Sequence, residues 1–454
     1  MCREGNPVKR NRVGLMLCFF VLIGASSACS LSSGFGVTPS SVAARSTAPA
    51  LLPTTAVPTS TPITPSPIPT RTPEPATSAP RPPTRTPRPT PTDLASLPSV
   101  IWMGRLSPTH GWVYSAELLW TDDGGASWTD ITPRGLSNCP EPDICLILSP
   151  PVFLDPSRAR LTVLRGQELD PPTTLSFMYT DNGGSSWGLH HIDEFAHSLA
   201  CPAPSCLDGA GLEFSDAQHG WLAAYAPLGM SSDISYLYRT RDDGQSWTRL
   251  EMPATGQVVF IDAVNGWAVG GKTSWTSEGL WRTRDGGDSW IPVDLGIQTS
   301  LTNADYYIQR PEFVSPREGV LPVHVLRDED GERRLDFYTT QNAGGDWTLT
   351  ATLKDPDLAT FGLGVSIPWS AIDDSMWFVA LNPDTQYLTR NRGQSWEVFP
   401  GAGLIGAKLS DVTFVSLTEG WGLSRICNRD FECSQQLFTT HDGGQTWIHI
   451  IPAP

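Results

Sequence analysis

Basic side chains are scarce beyond residue 98. The first 98 positions hold nine of the 31 Lys and Arg and three of the 47 Asp and Glu, leaving 22 basic against 44 acidic side chains in the rest. A body that acidic repels a phosphate backbone, which excludes nucleic acid as a partner. The apolar stretch from Val13 to Ala25 is shorter than the roughly 20 residues a membrane helix requires, so it does not read as a span. Between Thr38 and Pro98 apolar residues are few and more than half the positions are Pro, Thr or Ser, which excludes a packed core there. The last six of nine cysteines contain no C-x-x-C knuckle, which argues against zinc.

What is present points to export and to β-structure. Lys9, Arg10 and Arg12 precede the apolar stretch, and Ser26-Ser27-Ala28-Cys29 follows it, which is the layout of a secretory signal. Small residues before Cys29 resemble a bacterial lipobox, with Ser26 where Leu is usual; cleavage after Ala28 without lipidation and an uncleaved anchor are the alternatives. Each places the remainder outside the cytoplasmic membrane, either lipid-anchored through Cys29 or secreted. Residues 1–29 are thus expected to be the signal, 30–98 a Pro/Thr/Ser-rich spacer, and 99–454 the folded domain. Fully extended at about 3.1 Å per residue, the spacer spans on the order of 190 Å. In an oxidising compartment the six remaining cysteines read as disulfides, with Cys139 and Cys145, Cys201 and Cys206, and Cys427 and Cys433 as the local pairing among fifteen connectivities. The 17 Trp, 41 Gly and 41 Pro suit strands joined by tight turns.

One pattern occurs seven times: Thr, any, Asp/Asn, any, Gly, any, Ser/Thr, Trp. The copies are TDDGGASW, TDNGGSSW, TRDDGQSW, TRDGGDSW, TQNAGGDW, TRNRGQSW and THDGGQTW, ending at Trp128, Trp187, Trp247, Trp290, Trp347, Trp396 and Trp447. Asp123, Asp242, Asp285 and Asp442 accept hydrogen bonds from backbone N–H groups of their own turn, and Asn182, Asn342 and Asn391 do so through the amide oxygen. The Gly at the fifth position permits backbone angles closed to other residues, and the Trp covers the turn. Seven repetitions make these acids structural rather than catalytic. Only Asp346 departs from Ser/Thr before the Trp.

A second element precedes most copies: His110-Gly111-Trp112, His219-Gly220-Trp221, Asn265-Gly266-Trp267 and Glu419-Gly420-Trp421. Glu318-Gly319-Val320 and Ser375-Met376-Trp377 read as worn versions, and repeat two lacks it. Together the two elements resemble the Asp-box, or bacterial neuraminidase repeat, of sialidases, sortilin-type receptors and xyloglucan hydrolases, and above all the photosystem II assembly-factor type. The resemblance covers nearly all of 99–454 and implies a propeller without specifying its function.

About 51 residues per repeat is the size of a four-stranded blade, so the expected fold is all-β, a seven-bladed propeller. Strand A is read at Gln257 to Ile261, B at Trp267 to Val269, C at Leu237 to Thr240 and D at Trp247 to Leu250. No blade is expected to be shared between the chain ends. A–B and C–D turns then share one face, and the long B–C and D–A loops the other. All three cysteine pairs fall in those loops, on neighbouring blades, which marks an arc for binding or merely for protection of long loops. Trp275, Tyr306 and Tyr307 are placed in the same loops as candidate ligand contacts.

No catalytic residue, cofactor or metal is expected. The Arg-Ile-Pro signature of sialidases is missing, with Arg310-Pro311 the nearest trace, although two carboxylates meeting in the channel would favour a glycosidase. His190, His191, Asp193, Glu194 and His197 read as a solvated loop, and Asp328 to Gly331 as a hairpin turn. The expected function is binding: a monomeric scaffold or assembly factor for another envelope or extracellular protein, tethered to the membrane by its N-terminal lipid. A glycan-binding or glycoside-hydrolase propeller is the alternative.

Overall fold

A computed structural model describes residues 97–454 apart from 135, 137–142, 168–169, 193–208, 228–232, 272–278, 298–303, 328–330, 363–364, 405–407 and 429–432. The chain divides into two units, Met1–Thr84 and Arg85–Pro454, and every described residue falls in the second. The signal segment, Cys29 and the spacer up to residue 96 lie outside the described residues.

Seven antiparallel sheets follow one another along the chain, each ordered A-B-C-D, and together they form a seven-bladed β-propeller. Blade one consists of Trp102–Arg105, Gly111–Tyr114, Leu118–Thr121 and Thr129–Asp130. Blade three consists of Gly209–Phe214, Gly220–Pro227, Asp233–Thr240 and Thr248–Leu250, and blade four of Thr255–Phe260, Gly266–Gly271, Gly279–Thr283 and Ile291–Pro292. Blade six runs Trp369–Ala371, Trp377–Asn382, Thr385–Thr389 and Glu397–Phe399; blade seven runs Leu409–Phe414, Gly420–Cys427, Cys433–Thr440 and Ile448–Ile450.

In blades two and five strand A is split. Blade two has Asp143–Ile147 and Val152–Asp155 against Arg158–Gln167, followed by Asp170–Thr180 and Gly188–His191. Blade five has Ala304–Ile308 and Glu312–Phe313 against Gly319–Arg327, followed by Arg333–Thr340 and Thr348–Lys354. Pro150 and Pro151 fall in the first break and Pro311 in the second, and a residue without an N–H cannot donate to the ladder.

Burial follows the order of the strands. Strand B is covered on both faces, as in Gly266–Gly271, whereas strand D is exposed, as in Ile291–Pro292 and Thr129–Asp130. The box Trp precedes strand D and packs towards the preceding blade: Trp187 Nε1 donates to Ile131 O at 2.9 Å, and Trp247 meets Phe177 edge-on at 5.5 Å.

Neighbouring blades meet through one recurring contact. The residue after the strand-B glycine packs on the residue at the end of strand A in the next blade. Trp221 lies flat on Phe260 with centroids 3.6 Å apart, Trp267 on Phe313 at 4.5 Å, and Trp112 on Phe153 at 5.8 Å. At about 25 cal/mol per Å2, each indole burying roughly 200 Å2 contributes on the order of 5 kcal/mol before ordering costs.

Register revises the reading of blade six. Ile372 N bonds Met376 O as Val415 N bonds Glu419 O, so Trp377 occupies the glycine position and Phe378 the Trp position. Phe378 accordingly meets Phe414 at 4.8 Å. Blade two has the element after all: Ala159 stands in the glycine position and Arg160 in that of Trp.

Blades one and seven are each built from contiguous chain, so no sheet is shared across the ring closure. The seam carries backbone bonding as well as packing. Val100 N donates to Gln435 O at 2.9 Å, Gln435 N donates to Ser99 Oγ at 2.9 Å, and Arg105 reaches Glu419 at 3.2 Å.

Candidate functional site

The seven repeated turns have one hydrogen-bond design. In the first, Thr121 Oγ1 donates to Asp123 Oδ1 at 2.8 Å and accepts from Gly125 N at 2.9 Å. Ser127 donates its N–H to Asp123 Oδ1 at 2.9 Å and its hydroxyl to Oδ2 at 2.6 Å. Asp242, Asp285 and Asp442 are bonded in the same way. Both oxygens of each carboxylate are thus used inside the turn. The hydroxyl and N–H of Ser127, then the Thr121 hydroxyl, hold the Asp123 carboxyl well below its ordinary range. For Asp285 partial burial works the other way, and the bonds from Ser289 and Thr283 outweigh it, leaving about 2. Such groups stay ionised and occupied, which suits turns and not proton transfer.

Asn turns differ in one bond. Asn182 and Asn391 donate Nδ2 to Ser186 and Ser395 at 2.8 Å, and Asn342 donates to Asp346 Oδ2 at 2.8 Å. The one acid before a box Trp therefore sits beside an amide rather than a second carboxylate. Two successive residues have positive φ in every turn. Gly244 (φ 76°) shows why the second is glycine, since a Cβ there would lie 2.2 Å from a Phe177 ring carbon.

A second sevenfold device escaped the reading of the sequence. Ser107, Asp155, Asp216, Asp262, Ser315, Asp373 and Ser416 each accept from the N–H groups two and three residues on, closing the A–B turn. Its signal is a Ser or Asp four residues before the glycine position, and it marks repeat two as well. In each blade an N–H of the box then donates to a carbonyl of this turn, as Gly124 N does to Thr109 O at 2.8 Å and Ala343 N to Arg317 O at 2.8 Å. Both kinds of short turn therefore lie on one face, and the longer connections leave from the opposite ends of the strands.

Once the box acids are set aside, titratable groups gather on the innermost strands. Arg310 in blade five pairs with Glu213 in blade three at 2.6 Å, reaching past blade four. Glu312 accepts from Ala371 N at 2.8 Å, and Asp411 on blade seven accepts from Val412 N at 2.8 Å. Burial raises the Glu312 carboxyl to about 7 against the pull of the Ala371 N–H and Arg310, and Asp411 adds to the rise. Enclosure raises Asp411 to about 6. Glu213 is also raised by burial, with Arg310 opposing. Asp411 is solvent-exposed and Glu213 is 26% exposed, so each keeps contact with water while the protein around it limits its solvation. Clefted groups with raised proton affinity are where ligands and chemistry are to be sought.

Other candidates fall elsewhere. Tyr306 and Tyr307 belong to strand A of blade five, half-buried, and not to a loop. Burial raises the Tyr307 phenol. His190 and His191 lie in strand D of blade two; Trp275, Asp193, Glu194 and His197 are outside the described residues, as are Cys139, Cys201 and Cys206. Cys145 lies in a strand. Cys427 and Cys433 are disulfide-bonded where strands B and C of blade seven separate. Among the described residues no group of three or more His, Cys, Asp or Glu is placed to hold a metal.

No protein-family model and no curated protein matches the sequence. Among solved structures, the chain is similar to YCF48 bound to D1 peptide (15% identity, 77% of this chain and 94% of that one, TM-score 0.45). It is also similar to YCF48 from Cyanidioschyzon merolae (16%, 78% and 97%, TM-score 0.44) and to Hadza microbial sialidase Hz136 (11%, 76% and 67%, TM-score 0.35). Similarity at this level is one of architecture alone.

Proposed function

We propose that the chain is an Asp-box propeller of the photosystem II assembly-factor type, held outside the cytoplasmic membrane by a lipid on Cys29 and a Pro/Thr-rich spacer. Its work is to bind another protein through the face that carries the long loops. The observation supporting this is the sevenfold tie between A–B turn and box, which commits one face to short, self-satisfied turns. The longer connections, one of them closed by the Cys427–Cys433 disulfide, are left to the other face, where a rigid scaffold presents adaptable contacts. Mild crosslinking of the intact protein in its own envelope, followed by mass spectrometry, tests the reading. A stoichiometric partner crosslinked to B–C and D–A loops supports it; crosslinks confined to the turn face would overturn it.

A second reading has its own observation. Glu312 and Asp411, both raised in proton affinity at the channel, are a candidate acid and base for glycoside cleavage. Hydrolysis of aryl glycosides that disappears in Glu312→Gln and Asp411→Asn would establish it, and turnover unchanged in both would remove it.

A further inference from the structure

Among the described histidines, His324 is the one that is both fully buried and without a hydrogen-bond partner. It lies in strand B of blade five at 0% exposure, and neither ring nitrogen is bonded. His110, His191, His219, His441 and His449 each have a side-chain partner. Side chains alternate along a strand. Leu321, Val323 and Val325 pack in the cluster shared with blade four, so Val320 and His324 face blade six. Gln309, 3% exposed, adds a second buried donor on that side, since its Nε2 has no acceptor.

The loop-face end of this junction is covered by the connection from blade five to blade six. Asp355 caps the 3-10 helix Pro356–Thr360, and Leu358, Phe361 and Ile367 are buried in one cluster with Leu335, the residue opposite His324. Two side chains of blade five fasten the cover. Gln309 Oε1 accepts from Ser366 Oγ at 2.7 Å and from Ile367 N at 3.0 Å, and Arg333 Nη1 donates to Phe361 O at 2.5 Å.

Charge at the junction does not favour a second cation. Tyr307 and Arg333 share the ring's side of strands A and C, and Lys354 of strand D is paired with Glu332. Asp355 accepts from the Tyr387 hydroxyl, Asp357 from Asn382 and Thr385, and Lys408 donates to Thr360. Glu312, towards the turn face, accepts from Ala371 N. None of these carboxylates bonds the ring. Burial, and then the Arg333 charge, lower the His324 imidazole to about 4. The closed junction therefore leaves two ring nitrogens unsatisfied and shuts out a proton, and opening to water removes both penalties.

We propose that segment 355–362, with Ser366 and Ile367, is an acid-released latch: it lies closed over the junction while His324 is neutral and is held open once His324 is protonated. The latch needs no partner, so it stands or falls apart from the reading of the loop face above. A His lowered in the closed form favours closure above its ordinary value of 6.5. That preference shrinks about tenfold per pH unit as pH falls through 6.5, and levels off near 4.

The test is amide hydrogen exchange of the full chain, corrected for the intrinsic rate at each pH. Leu358 N, Phe361 N and Ile367 N, bonded to Asp355 O, Leu358 O and Gln309 Oε1, report the latch, and Leu161 and Val163 of blade two report global opening. From pH 7.5 to about 4.5 the latch amides should open on the order of 50-fold more often, and the blade-two amides should change less than about threefold. His324→Gln and His324→Leu take up no proton and should each flatten the rise to under about threefold, whereas Glu312→Gln should keep it. The wild-type and Glu312→Gln comparisons decide even where a His324 variant does not fold. No rise in the wild type, an equal rise in blade two, a rise kept in a folded His324 variant, or a rise lost in Glu312→Gln would each overturn the latch.

Discussion

At the scale of single residues, the same turn is built with either Asp or Asn, and the neighbouring donor decides which is tolerated. Asn342 donates to Asp346, so Asn342→Asp would set two carboxylates against each other at 2.8 Å. We expect a loss of about 1–2 kcal/mol in chemical denaturation, largely recovered when Asp346→Ser is added, because neighbouring groups are not additive. The channel acids predict a pH dependence of opposite sense to that of the boxes. A carboxyl raised in the folded state binds protons more tightly there. Its contribution is full below the unfolded value and is lost as pH rises through the folded one. Glu312 should therefore make stability decline between about 4.5 and 7, the interval set by its ordinary and shifted positions. Asp155 and Asp285, lowered to about 2, should make it decline as pH falls below their ordinary values. Melting curves of Glu312→Gln should have a shallower slope between about 4.5 and 7, keeping the part that Asp411 contributes, and keep the acid slope; an unchanged near-neutral slope would refute the assignment.

At the scale of the element, each junction can be filled by more than one chemistry. Arg160, 1% exposed, takes the Trp position of blade two and binds both oxygens of Asp243 at 2.7 and 2.8 Å, with Asp181 at 3.0 Å. In the next junction Trp221 Nε1 donates to Gly286 O, the corresponding turn position, at 2.9 Å. Arg160→Met should cost about 1.5–3 kcal/mol in equilibrium unfolding, since it removes the charge-assisted bonds to Asp243 and to the more exposed Asp181, both of which water can still reach. A cost below about 1 kcal/mol would show that packing alone suffices. These junctions also explain what the sequence made legible. Boxes could be found because every bond from Thr121 to Ser127 is local to eight residues, and the fold followed from counting them. The A–B turn was read from its Gly-Trp alone, so blade six was set one residue off and blade two was missed, although the capping Ser or Asp was present in both. The channel group was not legible at all. Glu213 and Arg310 are 97 residues apart and share no motif, and only ring closure brings them together.

At the scale of the molecule, the acidic excess is a global term. With 44 acidic and 22 basic side chains after residue 98, the folded body repels itself. Raising ionic strength from about 10 to 200 mM screens that repulsion, because the Debye length falls from about 30 Å to under 10 Å. The melting temperature should rise over this range, most steeply at low salt; a fall would mean that the ion pairs across the junctions outweigh the repulsion. The seam between blades seven and one has a mechanical meaning as well. Residues 98–100 are the point at which the preceding chain joins the ring, and Ser99 and Val100 are fastened to Gln435 of blade seven before any strand of blade one begins. A pull along that chain is received first by this clasp, across two blades at once, and only afterwards by the sheet of blade one. Tension would therefore load the ring at its closure, where no chain connection runs from blade seven to blade one, and the seam would act as the fuse of the assembly.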